Sequence, residues 1–300
     1  MNTELTASQL AKANFQRNGA IVDPDLSIGS ILINFGRLTA TDAEKIIRYQ
    51  VERNLRFGEA GTALGLLTNA DIEFALSRQF EYPYLLRGES PISEALIAAY
   101  DPFSGRVEAL RALRNQLMWR WFETGPLRRA LAVTSAEHGE GRSLMAANLA
   151  IVFSQQGQRT LLIDADMRNP QQHSLFALEN RSGLSSILSS RNSDHAIQPV
   201  VSLRDLSVLT AGPVPPNPLE LLGRPIFESM LRQLALEFDV ILIDTPPGSE
   251  FADAQTVAAR TGAAIILARQ DKSRLRKVRD LADMLAEARV HVVGTVMSQY

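Results

Sequence analysis

The sequence predicts an α/β protein, a mainly parallel sheet flanked by helices, preceded by a small helical tandem-repeat domain. Three observations lead there. An apolar run over 131–133 meets a glycine-containing turn and then a helical run over 144–156. Two further stretches, 160–164 and 239–244, are nearly continuous apolar runs that close on aspartate, which reads as buried parallel strands. Finally, residues 26–50 recur at 55–79 with a constant offset of 29.

The chain has 300 residues, 45% hydrophobic and 21% charged, enough for two domains. A net charge of −2 makes no case for bulk nucleic-acid binding. The absence of cysteine excludes disulfides and thiolate metal sites. Residues 1–20 lack the apolar core of a signal peptide, and no apolar run approaches membrane-span length. The expectation is a soluble protein whose membrane role, if it has one, passes through a partner.

Residues 1–24 read as a flexible tail with a short amphipathic piece around Leu10 to Phe15. Residues 25–90 hold the repeat. Leu26, Gly29, Gly36, Leu38, Thr39, Asp42 and Gln50 return as Leu55, Gly58, Gly65, Leu67, Thr68, Asp71 and Gln79. Each copy reads as a short helix, a glycine stop, a threonine N-cap and a second helix. Asp42 and Asp71 suit the positive helix N-termini. Ile46, Ile47, Ala75 and Leu76 are expected in the core. Two copies should pack on each other as one unit.

Residues 91–105 read as a linker, reached through Arg87-Gly88-Glu89-Ser90-Pro91. A helix follows over 106–122. Its Glu108, Arg111 and Arg114 share one broad face, which by spacing alone is a solvated charged face.

The domain over 106–300 carries the chemistry. Ala136, Gly141, Arg142 and Ser143 stand at the spacing of a phosphate-binding loop, with arginine where lysine is usual. Such a loop turns backbone N–H groups toward one concavity, and the next helix adds its positive end. Gly139 and Gly141 permit the turn. Asp164 and Asp166 lie two apart at a strand end, and Asp244 closes the next such strand. In open α/β sheets that edge is where ligands bind. Three carboxylates near a phosphate loop suit hydrated Mg²⁺, which takes few protein ligands. Strands over 206–209, 263–268 and 290–297 and helices over 225–238 and 271–289 complete the expected domain. The basic stretch Arg274, Arg276, Lys277 and Arg279 reads as a solvated face, and the four histidines as structural or surface residues.

Several motifs together carry a resemblance. They are Glu108-x-x-Arg111-x-x-Arg114, the Gly-Glu-Gly-Arg-Ser loop end, Leu-Leu-Ile-Asp-Ala-Asp-Met-Arg-Asn-Pro, the 215–222 segment, and Ile-Leu-Ile-Asp-Thr-Pro-Pro. They resemble the bacterial tyrosine kinases of exopolysaccharide synthesis, and among these the EpsG-type chain-length-determinant kinases. The resemblance implies a P-loop NTPase fold like that of ParA and MinD, with ATP and Mg²⁺ as cofactors. It implies phosphates held by Gly139, Glu140, Gly141, Arg142, Ser143 and Leu144. Ser143, Asp166 and Asp244 would serve the metal, with Asp164, Asp166 and Arg142 catalytic. Glu108, Arg111 and Arg114 would mediate a ring-like homo-oligomer. A membrane-spanning polysaccharide co-polymerase would be the partner, placing the protein in the cytoplasm at the inner membrane. The function implied is autokinase control of chain length, polymerisation and export.

The repeat separately resembles the N-terminal domain of type II secretion and pilus ATPases, whose tandem motifs bind cyclic di-GMP. Arg56-Phe57-Gly58 fits that motif, whereas Ser27-Ile28-Gly29 lacks its arginine, which favours a docking or scaffold module. That family of kinases carries a C-terminal tyrosine cluster. The tyrosines here are Tyr49, Tyr82, Tyr84, Tyr100 and Tyr300; Tyr300 is the candidate acceptor, and use of the four upstream tyrosines between subunits is the alternative. Two alternatives stay open: an ATPase switch of the partition type, though Glu137 replaces its signature lysine, and a non-catalytic adaptor.

Overall fold

The computed structural model describes residues 27–79, 84–126, 128–191 and 195–299. The tail over 1–24 and Tyr300 lie outside them. The chain divides between residues 83 and 84 into two compact units.

The first unit is the repeat. Helices α1 (Ile28–Asn34) and α2 (Ala40–Arg53) form one copy, α3 (Phe57–Ala63) and α4 (Asn69–Gln79) the other. The glycine stops are real, since Gly36 and Gly65 sit at φ +68° and +66°, where a side chain is strained. Thr39 Oγ1 accepts the Asp42 N–H at 3.1 Å, and Thr68 Oγ1 accepts that of Asp71 at 3.2 Å. The copies interlock, α1 on α4 and α2 on α3. Leu32, Ile46 and Ala75 are fully buried; Ile47 and Leu76 are half-buried.

The second unit begins at residue 84, within the 25–90 bounds expected for the repeat, and takes in the 91–105 segment expected as a linker. Leu85, Ile92, Leu96, Ala98, Ala99 and Tyr100 belong to its main core. This segment includes the short α5 (Ile97–Tyr100) and precedes α6 (Gly105–Arg120). Its backbone is held by side chains of α7 (Arg142–Ser154) and of its C-cap, Gln155. Asn148 Oδ1 accepts the Ala98 N–H at 2.9 Å, and Gln155 Nε2 donates to the Ala98 carbonyl at 2.9 Å. The turn residues over 87–91 suggested a spacer, but the apolar residues that follow seat the segment on the helix.

Seven strands form the sheet: β1 (Ala130–Ser135), β2 (Thr160–Asp164), β3 (Ile197–Pro199), β4 (Leu206–Leu209), β5 (Val240–Asp244), β6 (Ala263–Arg269) and β7 (His291–Ser298). Their order is β3-β4-β2-β5-β1-β6-β7. All neighbours run parallel except the short edge strand β3. Residues alternate between two cores: Leu131, Val133, Leu162 and Leu242 face one side, Ala132, Leu161, Ile163, Ile241 and Ile243 the other. The first side is covered by α6 and by α7, buried from Met145 to Ser154. The remaining helices are α8 (Gln172–Leu175), α9 (Leu184–Leu188), α10 (Pro218–Leu222), α11 (Pro225–Glu237), α12 (Asp253–Thr261) and α13 (Leu275–Glu287). Residues of α9 to α13 lie in the second core. The central trio β2-β5-β1 brings the phosphate loop and both strand-end aspartates to one edge.

Candidate active site: a phosphate loop facing buried carboxylates

The loop between β1 and α7 has the expected conformation. Gly139 and Gly141 adopt φ +70° and +87°, and Gly141 caps α7 without a side chain. The Glu137 N–H donates to Glu140 Oε2 at 2.7 Å, closing the turn. The loop after β5 buttresses it, as the Ser249 hydroxyl donates to the Ala136 carbonyl at 2.6 Å.

Arg142 does not point into solvent. Its side chain is 7% exposed and lies among Ser135, Asp166 and Asp244. Nη1 donates to Ser135 Oγ at 2.8 Å and Nη2 to Asp166 Oδ2 at 3.2 Å. Nε stands 3.4 Å from Asp244 Oδ1, too poorly aligned to bond, so both atoms are buried without a hydrogen-bond partner.

Asp164 and Asp244 are partners in the parallel register of β2 and β5, and both are wholly buried. Asp164 Oδ1 accepts the Asp166 N–H at 3.2 Å; Oδ2 accepts those of Gln171 and Gln172 at 3.0 and 2.9 Å. Burial pushes the Asp164 carboxyl well above the usual range, and neighbouring Asp244 pushes it further. Asp166 and Asp244 are also raised by burial, against the pull of nearby donors and Arg142.

Among the described residues no cluster of three or more His, Asp or Glu side chains forms a ready-made metal cage. The donor set instead fits a hydrated magnesium–nucleotide. It offers two carboxylates and the half-buried Ser143 hydroxyl at a helix N-terminus. The orphaned Asp244 Oδ1 is the buried oxygen such a cation would satisfy. Beside the loop lies an apolar recess lined by Ala95, Ile97, Leu110, Gly141, Leu144 and Met145.

Sequence reasoning missed three features. Gln172 Nε2 bridges Asp244 Oδ2 and the Ser143 carbonyl. Arg168 pairs with the buried Asp253 at 2.6 Å. The basic stretch is no plain solvated face: Lys277 pairs with Glu137 at 2.5 Å, and Lys272 and Arg269 reach the Gly139 carbonyl. These contacts span 29 to 140 residues of sequence and leave no local pattern.

The other expected residues lie apart. Glu108 is exposed and pairs with Arg111 at 3.0 Å, while Arg114 Nη1 donates to the Val152 carbonyl of α7. Tyr100 is buried and donates to the Ile92 carbonyl at 2.6 Å. Tyr49 and Tyr84 are half-buried.

Comparison with known proteins matches this geometry. The ParA family model, described as NUBPL iron-transfer P-loop NTPase, matches residues 126–299. With no cysteine to hold an iron–sulfur cluster, the chain shares the fold and loop of that description. The tyrosine-protein kinase YwqD of Bacillus subtilis is 34% identical over 209 residues, 70% of this chain and 87% of YwqD. The kinase-domain structure of the Escherichia coli tyrosine kinase ETK aligns with TM-score 0.65 and 31% identity, over 68% of this chain and 79% of that domain. The chimerical protein CapA2B2 aligns with TM-score 0.64 and 31% identity, over 75% and 97%. A phosphate loop, its facing aspartates and relatives that are themselves tyrosine kinases together place this chain in the bacterial protein-tyrosine kinase family, on a ParA-type P-loop NTPase fold.

Proposed function

We propose that the chain is an ATP- and Mg²⁺-dependent tyrosine autokinase that regulates exopolysaccharide chain length and export. The observation that carries this is Arg142 in ion-pair reach of Asp166 and Asp244 at the mouth of a phosphate loop. Phosphoryl transfer asks mainly for positioning and charge neutralisation. In this reading the N–H groups of residues 139–144 cradle the phosphates. Ser143, Asp166 and Asp244 hold the metal, which supplies charge neutralisation at the transferred phosphoryl group. Arg142 then grips phosphate oxygen with its planar fork. Asp164, with both oxygens already accepting backbone N–H groups, acts as an orienter of the 164–172 segment.

Tyr100 is a poor acceptor, because its hydroxyl is buried and engaged. Tyr300 remains our proposed acceptor, and Glu108, Arg111 and Arg114 our proposed contact with further copies of the chain. No helix among the described residues is long and apolar enough to cross a membrane; a membrane-spanning co-polymerase is the partner this reading calls for. We read the repeat, whose first copy has Ser27 where the cyclic di-GMP motif has arginine, as a docking module.

The test is purified full-length protein with labelled ATP and Mg²⁺, with and without the cytoplasmic tail of a candidate co-polymerase. Phosphotyrosine that increases with the tail supports the reading. ATP hydrolysis without phosphotyrosine under either condition would move the assignment to a switch ATPase.

A further inference from the structure

Gln172 opens α8 and is fully buried. Its side-chain amide can be oriented in only one way. Nε2 meets Asp244 Oδ2 at 2.8 Å and the Ser143 carbonyl at 3.1 Å. Both are acceptors, so the NH₂ end must face them. The residue's own backbone N–H holds Asp164 Oδ2 at 2.9 Å. One side chain thus ties together the strand-end carboxylates of β2 and β5 and the first turn of α7.

The other end of the amide, Oε1, is buried and has no hydrogen-bond partner. A buried amide oxygen left unsatisfied costs stability in a molecule selected only to fold. It is therefore a marker of something the site receives. Oε1 can only accept a hydrogen, so the group it awaits is an O–H or N–H donor. A cation bound between Ser143 and Asp244 keeps several of its waters, and those waters are O–H donors.

We infer that Gln172 is a positioning residue for the hydrated divalent cation: Nε2 fixes Asp244 against Ser143, and Oε1 accepts from the cation's water shell. This rests on the magnesium–nucleotide reading of the site. Partners that orient metal ligands are typically worth about 10- to 100-fold in metal affinity.

The test uses full-length protein, a fluorescent ATP analogue, and titrations in EDTA and in Mg²⁺. The parent is expected to bind more tightly with Mg²⁺. Gln172→Met fills the same space without the amide. It should melt close to the parent and bind the analogue in EDTA within about twofold, since it leaves the loop N–H groups intact. Its Mg²⁺ enhancement should shrink about tenfold. Gln172→Asn keeps the chemistry but is one methylene too short to span Asp244 and Ser143, and should lose the enhancement as well. A packing role predicts the opposite: full Mg²⁺ coupling in any variant that folds. Parental coupling in Gln172→Met or Gln172→Asn overturns the inference and leaves the kinase reading standing. A parent that binds equally with and without Mg²⁺ overturns the reading of the site and the inference with it.

Discussion

Asp164 and Asp244 sit side by side across β2 and β5, both wholly buried, with Gln172 touching each of them. Two carboxylates so placed cannot both ionise comfortably without a cation. In the ligand-free chain the nearest cation is Arg142, which reaches Asp244 and Asp166 but not Asp164.

A pH dependence follows from that pair. The folded chain holds the Asp164 proton more tightly than the unfolded chain does, because burial and Asp244 raise its pKa. The unfolded value is about 3.9. Stability is therefore lost as pH rises from about 4 toward the raised folded value. The melting temperature of ligand-free parent should fall with pH across that window, and that of Asp164→Asn should fall less steeply. Parallel pH profiles for the two proteins would refute the assignment.

Arg142 should tolerate lysine better than alanine. Lysine keeps the charge at the position where phosphate loops usually carry it, but gives up the fork that joins Ser135 to Asp166. Arg142→Ala leaves two buried carboxylates unpaired, and removing one partner of a buried pair costs about 3–5 kcal/mol. We expect Arg142→Lys to retain measurable phosphotransfer. Arg142→Ala should lose about 10²-fold or more and unfold at lower denaturant. Equal activity in the two variants would show that the cation at this position is dispensable.

The segment from Leu85 to Tyr100 belongs to the kinase unit, so its removal should be felt there. A fragment over 84–300 is expected to unfold cooperatively. A fragment over 106–300 exposes the apolar surface that Ile92, Leu96 and Tyr100 cover, and should be less stable or aggregate. Equal urea midpoints would mean that the segment merely rests on the surface.

The repeat offers a separate test. Thr39→Ala and Thr68→Ala each remove an N-cap, worth about 1 kcal/mol, and the symmetry of the two copies predicts similar losses. Burial pushes Asp71 up, but the Thr68 hydroxyl, its N–H and Arg37 outweigh it and hold the carboxyl below its ordinary value. Its contribution is present above pH about 3.9 and fades as pH falls through the lowered folded value. Amide exchange in α2 and α4 measures both effects; unchanged exchange in α4 of Thr68→Ala would contradict them.

Much of this was legible in the sequence for identifiable reasons. Buried parallel strands are continuous apolar runs, so β1, β2 and β5 announce themselves, and each carries its functional group at its carboxyl end. Gly36, Gly65, Gly139 and Gly141 mark left-handed turns that other residues resist. Residues 91–105 misled because the turn residues Gly88, Ser90 and Pro91 lead into them, while the seating of Ala98 depends on Asn148, fifty residues away. Gln172 and Asp253 were invisible for the same reason. Their partners come from other strands and loops, and no spacing encodes them. The three-residue strand β3 is too short to have a period.

The most direct measurement is phosphotyrosine on the intact protein after incubation with Mg²⁺-ATP, read by mass spectrometry for the parent and for Arg142→Ala. The account predicts a phosphorylated tyrosine in the parent, with Tyr300 the expected position, and its loss in Arg142→Ala. Phosphotyrosine retained in Arg142→Ala would contradict the claim that this loop and its facing aspartates perform the transfer. A parent that binds ATP and forms no phosphotyrosine, with or without a co-polymerase tail, would contradict the autokinase reading itself.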